Sequence, residues 1–268
     1  MEPEQAGGPA RRRRRCWIVT VIVVLVLICI LALGLGLSQR QANTGNDFKS
    51  TFLSRCQQFQ GSNCQRAWDA FQQAYVNRDP CNVPVDAYDP FITAVTLKPQ
   101  CNRMMFWSKT KEVVHDFNEK KNCFQTLEDT FLGSVLDKLT WCGKDGSFET
   151  FTTGCPAWNE CDNPVRSFWQ RASAAFADAA CGNVTVMLNG SIATPFDPSS
   201  IFASIEVNKL KSTQVNTLNV VLTNCANPSL QELKTKLAEG INYNCKEVPV
   251  TQIQECGSDQ EKACGACW

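Results

Sequence analysis

Glu206 stands in the segment Ser200-Ile-Phe-Ala-Ser-Ile-Glu-Val, whose other residues are small or apolar. The β-branched run predicts a strand over 201–207. A carboxylate near the C-terminal end of such a strand projects into the crevice where α/β folds bind ligands. There it can stabilise an oxocarbenium-like centre or attack it, as in retaining glycosidases. The alternative is an exposed side chain on an alternating strand. Glu128 and Asp129 lie beside a stripe of Leu127, Phe131, Val135 and Leu139, with Asp137 two turns on. That spacing predicts an amphipathic helix or two short turns over 126–143. Carboxylates at the edge of an apolar surface lose solvation and become useful for binding or proton transfer; the same pattern also fits solvated charges on a surface helix.

Trp107, in Met-Phe-Trp-Ser-Lys, and Trp169, in Ser-Phe-Trp-Gln-Arg, are the indoles that could stack around a flat cationic ring. Each also suits a core, and Trp68 and Trp158 are assigned to core or disulfide packing. Ser108 and Lys109 follow Trp107 and could meet phosphate oxygens. No Gly-x-Gly-x-x-Gly follows a strand, and no Gly-rich loop ends in Lys-Ser/Thr. The single histidine, His115, sits mid-helix and reads as a surface or half-buried residue, so a His-based triad is disfavoured. Cys264-Gly-Ala-Cys267 has the spacing of a redox or zinc half-site, but no second pair accompanies it. It reads as structural, and neither metal nor prosthetic group is expected.

The elements that must position these residues fall into two halves. Helices are predicted from Phe48, around Ala67–Val76, over 86–95, over 103–117 and from Pro164 to near Gly182. Beyond it come strands at 184–188, 201–207, 215–222 and 241–245, with a helix at 230–238. The fold class is therefore α/β and disulfide-rich: a mainly helical lobe over about 48–182, an α/β lobe with a small parallel sheet over about 183–268, and the binding cleft between them.

The chain has 268 residues and no net charge, but the charge is uneven: residues 1–16 carry five Arg against two Glu. Without a basic face elsewhere, nucleic acid is not an expected partner. Trp17 to Leu37 has no charged residue and is long enough to span a bilayer. Arginines 11–15 lie on its N-terminal side, so the positive-inside rule keeps residues 1–16 cytoplasmic, makes 17–37 a signal-anchor, 38–47 a stalk, and sends 48–268 outside. A cleaved signal peptide would have a shorter apolar core. Cys16 is a weak palmitoylation candidate. Of sixteen cysteines, fourteen lie beyond the anchor, an even number that reads as a disulfide framework in an oxidising compartment. Asn183-Val-Thr and Asn189-Gly-Ser are glycosylation sequons.

Several blocks in one order resemble the ADP-ribosyl cyclase/cyclic-ADP-ribose hydrolase family, in particular its single-pass type II membrane branch. They are Cys64-Gln-Arg-Ala-Trp-Asp-Ala-Phe, Asp79-Pro-Cys-Asn, Trp107-Ser-Lys, Thr126-Leu-Glu-Asp-Thr, Leu139-Thr-Trp-Cys-Gly, Asn163-Pro-Val-Arg-Ser-Phe-Trp, Val186-Met-Leu-Asn-Gly-Ser and Ser204-Ile-Glu-Val. The resemblance implies an ectoenzyme that cleaves NAD to ADP-ribose and cyclic ADP-ribose, hydrolyses the cyclic product, exchanges the base of NADP and feeds calcium signalling. It makes Glu206 the catalytic glutamate, Trp107 and Trp169 the indoles flanking nicotinamide, Glu128 the carboxamide-recognising residue that favours hydrolysis over cyclisation, and Asp137 a second acid. Asp129 belongs to the same signature as a binding residue, and Ser108, Lys109, Ser173, Ser200 and Phe202 line the phosphate and ribose path. NAD and NADP are substrates, not cofactors. A homodimer and cell-surface protein partners are compatible with it.

Lys109 departs from the family pattern by replacing an arginine, Ile201 by replacing a threonine, and Lys138 by replacing an acid. The resemblance further implies disulfides Cys56–Cys64, Cys81–Cys161, Cys101–Cys181, Cys142–Cys155 and Cys225–Cys245, with Cys256 joined to Cys264 or Cys267. Cys123 is expected to take the remaining terminal cysteine. A cell-surface receptor or adhesion module with a vestigial pocket is the alternative from another class, and a carbohydrate glycosidase the weaker enzymatic one.

Overall fold

Four parallel strands form the frame of the site. The computed structural model describes residues 47–95, 97–259 and 261–268. In chain order the helices are α1 (47–56), α2 (Cys64–Gln72), α3 (Asp89–Ala94), α4 (Lys111–Lys121), α5 (Phe131–Ser134), α6 (Pro164–Asp178), α7 (Ser229–Lys236) and α8 (Val250–Ser258). The strands are β1 (Met105–Ser108), β2 (Cys142–Lys144), β3 (Ser147–Phe151), β4 (Gly182–Leu188), β5 (Val215–Leu222) and β6 (Asn242–Glu247). The sheet runs β1-β4-β5-β6, all parallel, and β2 and β3 form a separate antiparallel hairpin.

Alternation along the strands sorts side chains onto two faces, as a pleat requires. Phe106, Val186 and Val220 face the larger core, where Phe52, Phe71, Phe91, Trp141 and Phe168 pack together. Met105, Met187 and Val221 face a smaller core under α4 and α8, with Val114, Phe117 and Ile253. Helix α6 matches the expected span, with Pro164 in its first turn and the Asn163 carboxamide accepting from the Arg166 amide.

The structure differs from the sequence reading at three places. Residues 103–117 are not one helix. Met104, Met105 and Phe106 are buried consecutively, the pattern of a strand covered on both faces, and α4 begins only at Lys111 after Lys109 takes a left-handed φ of 57°. Residues 201–207 are not a strand. Phe202–Glu206 is a π-helical turn running into a 3₁₀ turn, Val207–Lys209. There the Ser200 hydroxyl accepts from the Ala203 amide, and the Ser200 carbonyl accepts from the Ser204 amide and hydroxyl. Phe202, Ala203, Glu206 and Val207 are buried, a helical period in which the pairs are four residues apart. Over 126–143 the chain takes the second of the two expected forms, short turns: a 3₁₀ turn, Leu127–Asp129, then α5.

The third difference concerns the sheet: β1, from the half expected to be helical, lies in the same sheet as β4–β6, so the sheet is not confined to residues beyond 182, and residues 48–268 cluster as one compact unit. The expected cytoplasmic tail (1–16), signal-anchor (17–37) and nearly all of the expected stalk (38–47) lie outside the described residues. No helix among the described residues is long and apolar enough to cross a membrane. Among the described residues seven disulfides join Cys56–Cys64, Cys81–Cys161, Cys101–Cys181, Cys123–Cys264, Cys142–Cys155, Cys225–Cys245 and Cys256–Cys267.

Candidate active site

A cavity of about 640 Å³ opens where β1 ends and α6, the 126–139 segment and the 197–206 segment converge. It gathers Trp107, Ser108, Lys109, Glu128, Asp137, Trp169, Ser173, Ser200, Phe202 and Glu206. Trp107 and Ser108 close β1 in register with Met187 and Leu188 of β4 and Lys109 follows them, at the end of a parallel sheet where α/β folds bind ligands.

Glu206 is only 7% exposed. Burial pushes its carboxyl up to about 8, against the lowering effect of a hydrogen bond donated by the Ser173 hydroxyl, and the nearby Glu128 charge raises it further. The π turn supplies its position. The Val207 amide reaches back to the Phe202 carbonyl, and this wider turn aims Glu206 inward beside buried Phe202. Such turns are frequent at functional sites. Phe202 itself packs against Phe106 and Phe196 at 6.0 and 6.1 Å between ring centroids, so it forms the floor of the cavity as well as a wall of the path.

Glu128 has a side chain 8% exposed, and the Trp107 indole N–H donates to its Oε2 at 3.3 Å. Trp169 is half-buried on α6, edge-on to Phe168 at 5.2 Å. Both indoles border the space above Glu206, one from a strand and one from a helix. Ser108 Oγ is buried without a partner, a hydroxyl held ready for a ligand oxygen. Ser200, in contrast, donates its hydroxyl to the Asp197 carbonyl at 2.7 Å and accepts from Ala203, so it caps the Glu206 turn. Asp137 holds Lys111 Nζ at 3.1 Å.

Asp129 is turned away from this cavity. Its carboxylate accepts from the Thr126 amide and hydroxyl, both at 2.8 Å, closing a capping box on the turn that carries Glu128. The residue expected to bind substrate instead shapes the backbone under its neighbour. The two sequons differ: Asn183 is exposed on β4, whereas the Asn189 carboxamide donates to the Lys109 carbonyl at 3.2 Å.

Several lining residues escaped the sequence reading, four of them charged or exposed at the cleft. Asp197 pairs with Lys109, and the Lys109 and Ser199 hydrogen bonds hold its carboxyl down at about 2. Asp-Pro-Ser-Ser carries the signal of a turn but not of a cleft wall. Lys111 falls in the middle of the helix expected over 103–117, where a lysine gives no signal of a cleft. Ser199 is hidden in the same turn. Trp158, assigned to packing, is 42% exposed and borders the cavity mouth, because the Asn163 carboxamide that folds back onto residues 157, 158 and 161 pins that loop outward.

An α/β domain with one buried carboxylate, a second beside it and two indoles at the carboxyl end of its sheet defines a site for a flat cationic ring on an electrophilic carbon. The model of the ADP-ribosyl cyclase family matches residues 45–265, and this chain belongs to that family. ADP-ribosyl cyclase/cyclic ADP-ribose hydrolase 1 of Mus musculus is 37% identical over 210 residues, 71% of this chain and 69% of that protein. ADP-ribosyl cyclase/cyclic ADP-ribose hydrolase 2 of Homo sapiens is 29% identical over 226 residues, 77% of this chain and 71% of that one. Among solved structures, porcine CD38 complexed with a covalent intermediate, ribo-F-ribose-5'-phosphate, is 35% identical with a TM-score of 0.70, covering 75% of this chain and 95% of that chain.

Proposed function

We propose that the chain cleaves the bond between nicotinamide and ribose in NAD, giving ADP-ribose and cyclic ADP-ribose, and that NADP and the cyclic product are further substrates. The observation that carries this is the buried Glu206 carboxylate beside two indoles. Nicotinamide in NAD is a cationic leaving group that departs neutral, so no general acid is required. What the reaction needs is a preorganised negative charge where the ribosyl cation develops. Glu206 supplies it, Ser173 orients it, and Trp107 and Trp169 stack on the flat ring. Water capture of the ribosyl centre releases ADP-ribose, and capture by an adenine nitrogen closes the cyclic product. Glu128, held by Trp107, faces the same centre. Ser108 and Lys109 are placed for the diphosphate, with Asp197 competing for the lysine. The chain's own residues account for these steps, and the reading invokes no resident metal or prosthetic group.

The described cysteines are all paired, which suits an oxidising compartment. We place residues 48–268 outside the cell, anchored by 17–37 with the arginine-rich end in the cytosol.

The test is nicotinamide release from NAD by the purified full-length chain, run beside Glu206→Gln. The expected outcome is turnover by the parent and a fall of ~100-fold or more in kcat for the folded variant. No release by an oxidised, folded parent would favour a cell-surface receptor with a vestigial pocket.

A further inference from the structure

His115 projects from the middle of α4 towards the back of the Glu128 turn. Its side chain is 29% exposed, but Nε2 is buried and lacks a hydrogen-bond partner. Buried polar nitrogens are normally satisfied, so an orphan calls for a reason. Glu128 Oε2 lies 3.9 Å from it, beyond hydrogen-bond reach but within the range that a small side-chain rotation closes. The same oxygen accepts from the Trp107 indole, and the imidazole stands edge-on to that indole, 6.2 Å between centroids. One carboxylate oxygen is thus approached by an indole N–H from β1 and an imidazole nitrogen from α4. The other nearby charges are engaged elsewhere: Lys111 with Asp137, and Asp129 with Thr126.

We propose that His115 is a positioning residue: in the substrate complex its Nε2–H donates to Glu128 Oε2 and, together with Trp107, sets the direction in which Glu128 faces the ribosyl centre. Hydrogen bonds of this kind are often long in a ligand-free site and tighten around the substrate. Through Glu128, which shares the cavity with Glu206, the imidazole influences whether water or the adenine nitrogen captures the cation. This deepens the NAD-cleaving reading and rests on it.

The experiment follows nicotinamide, ADP-ribose and cyclic product from NAD in the full-length parent, His115→Leu, His115→Gln, Glu128→Ala and the Glu128→Ala/His115→Leu double variant. His115→Leu is expected to move the ratio of the two products by ~threefold or more, and by a larger factor than it changes nicotinamide release. The glutamine variant, whose amide nitrogen reaches the same place, restores the ratio. The double variant matches Glu128→Ala alone. An unchanged ratio in His115→Leu, or additive effects in the double variant, would overturn the proposal. A second measurement needs no turnover: with a single histidine in the chain, its ring nitrogen resonances are unambiguous, and Glu128→Gln should shift them. Unmoved resonances overturn the proposal even if NAD is cleaved. A parent that releases no nicotinamide overturns the NAD reading instead, and the resonances still decide whether His115 meets Glu128.

Discussion

Glu206 ties chemistry to pH. Its ordinary value of 4.5 rises to about 8 in the folded chain. Because the ionised form stabilises the ribosyl cation, kcat/KM for NAD should fall as pH drops below about 8, since this parameter reports the free enzyme. The cationic nicotinamide ring favours ionisation once bound, so the acidic limb of kcat should lie lower. A pair of pH–rate profiles checks both, and coincident limbs would argue against Glu206 as the titrating group. The same group has a stability consequence. Below pH 4.5 it is protonated in both folded and unfolded chains and costs nothing. Between 4.5 and 8 the unfolded chain ionises first, so stability falls as pH rises, by about 1.4 kcal/mol for each pH unit across that window. Glu206→Gln removes the loss; it should raise the melting temperature at pH 8 and leave it nearly unchanged at pH 4. Trp169 acts by stacking: Trp169→Ala should raise KM for NAD by about 2–12-fold, the factor for a ring pair worth roughly 0.5–1.5 kcal/mol, while Trp169→Phe retains most of it.

At the scale of elements, two short turns carry the site: one stands where the sequence pattern assigns a strand, the other where it allows a helix or turns. The β-branched residues Ile201, Ile205 and Val207 speak for a strand, and local propensity is a fair guide where nothing overrides it. Here the Ser200 cap and the close fit of Phe202 and Ala203 against the sheet prevail, and only the three-dimensional surroundings contain that information. The Glu128 turn depends on a close approach: a Cβ at Gly133 would stand 2.2 Å from the Leu127 carbonyl oxygen. Gly133→Ala should therefore displace the Leu127–Asp129 turn, costing roughly 1–3 kcal/mol by denaturant unfolding and changing the product ratio. A variant of parental stability and ratio would show that the turn yields without moving Glu128. The same capping box explains why Asp129, next to Glu128 in sequence, serves the backbone and not the cleft, since adjacent residues on a tight turn point apart.

Across the whole molecule, the C-terminal segment braces the site from behind. Cys123–Cys264 spans 141 residues, Cys256–Cys267 closes the end of α8, and Trp268 packs 5.3 Å from both Phe117 and Phe124. That segment backs α4, which carries Lys111 and His115. Replacing Cys123 and Cys264 together by serine should cost about 2–5 kcal/mol and raise KM, measured by denaturant unfolding and NAD turnover; unaltered stability would remove the brace from the account. Much of this molecule was determined by sequence alone. Composition and cysteine parity gave the oxidised framework, apolar runs at 184–188 and 215–222 gave the central strands, and motif blocks in a fixed order gave the family and the principal carboxylates and indoles of the cleft, because such signals are local or directly matched. Tertiary structure alone decided that Trp107 lies on a strand, that Glu206 is carried on a π turn, that Asp129 caps the turn outside the cavity, and that His115 lies near Glu128. These outcomes depend on which distant surfaces meet, and the free energy of burying one side chain against another is not written in the spacing of either.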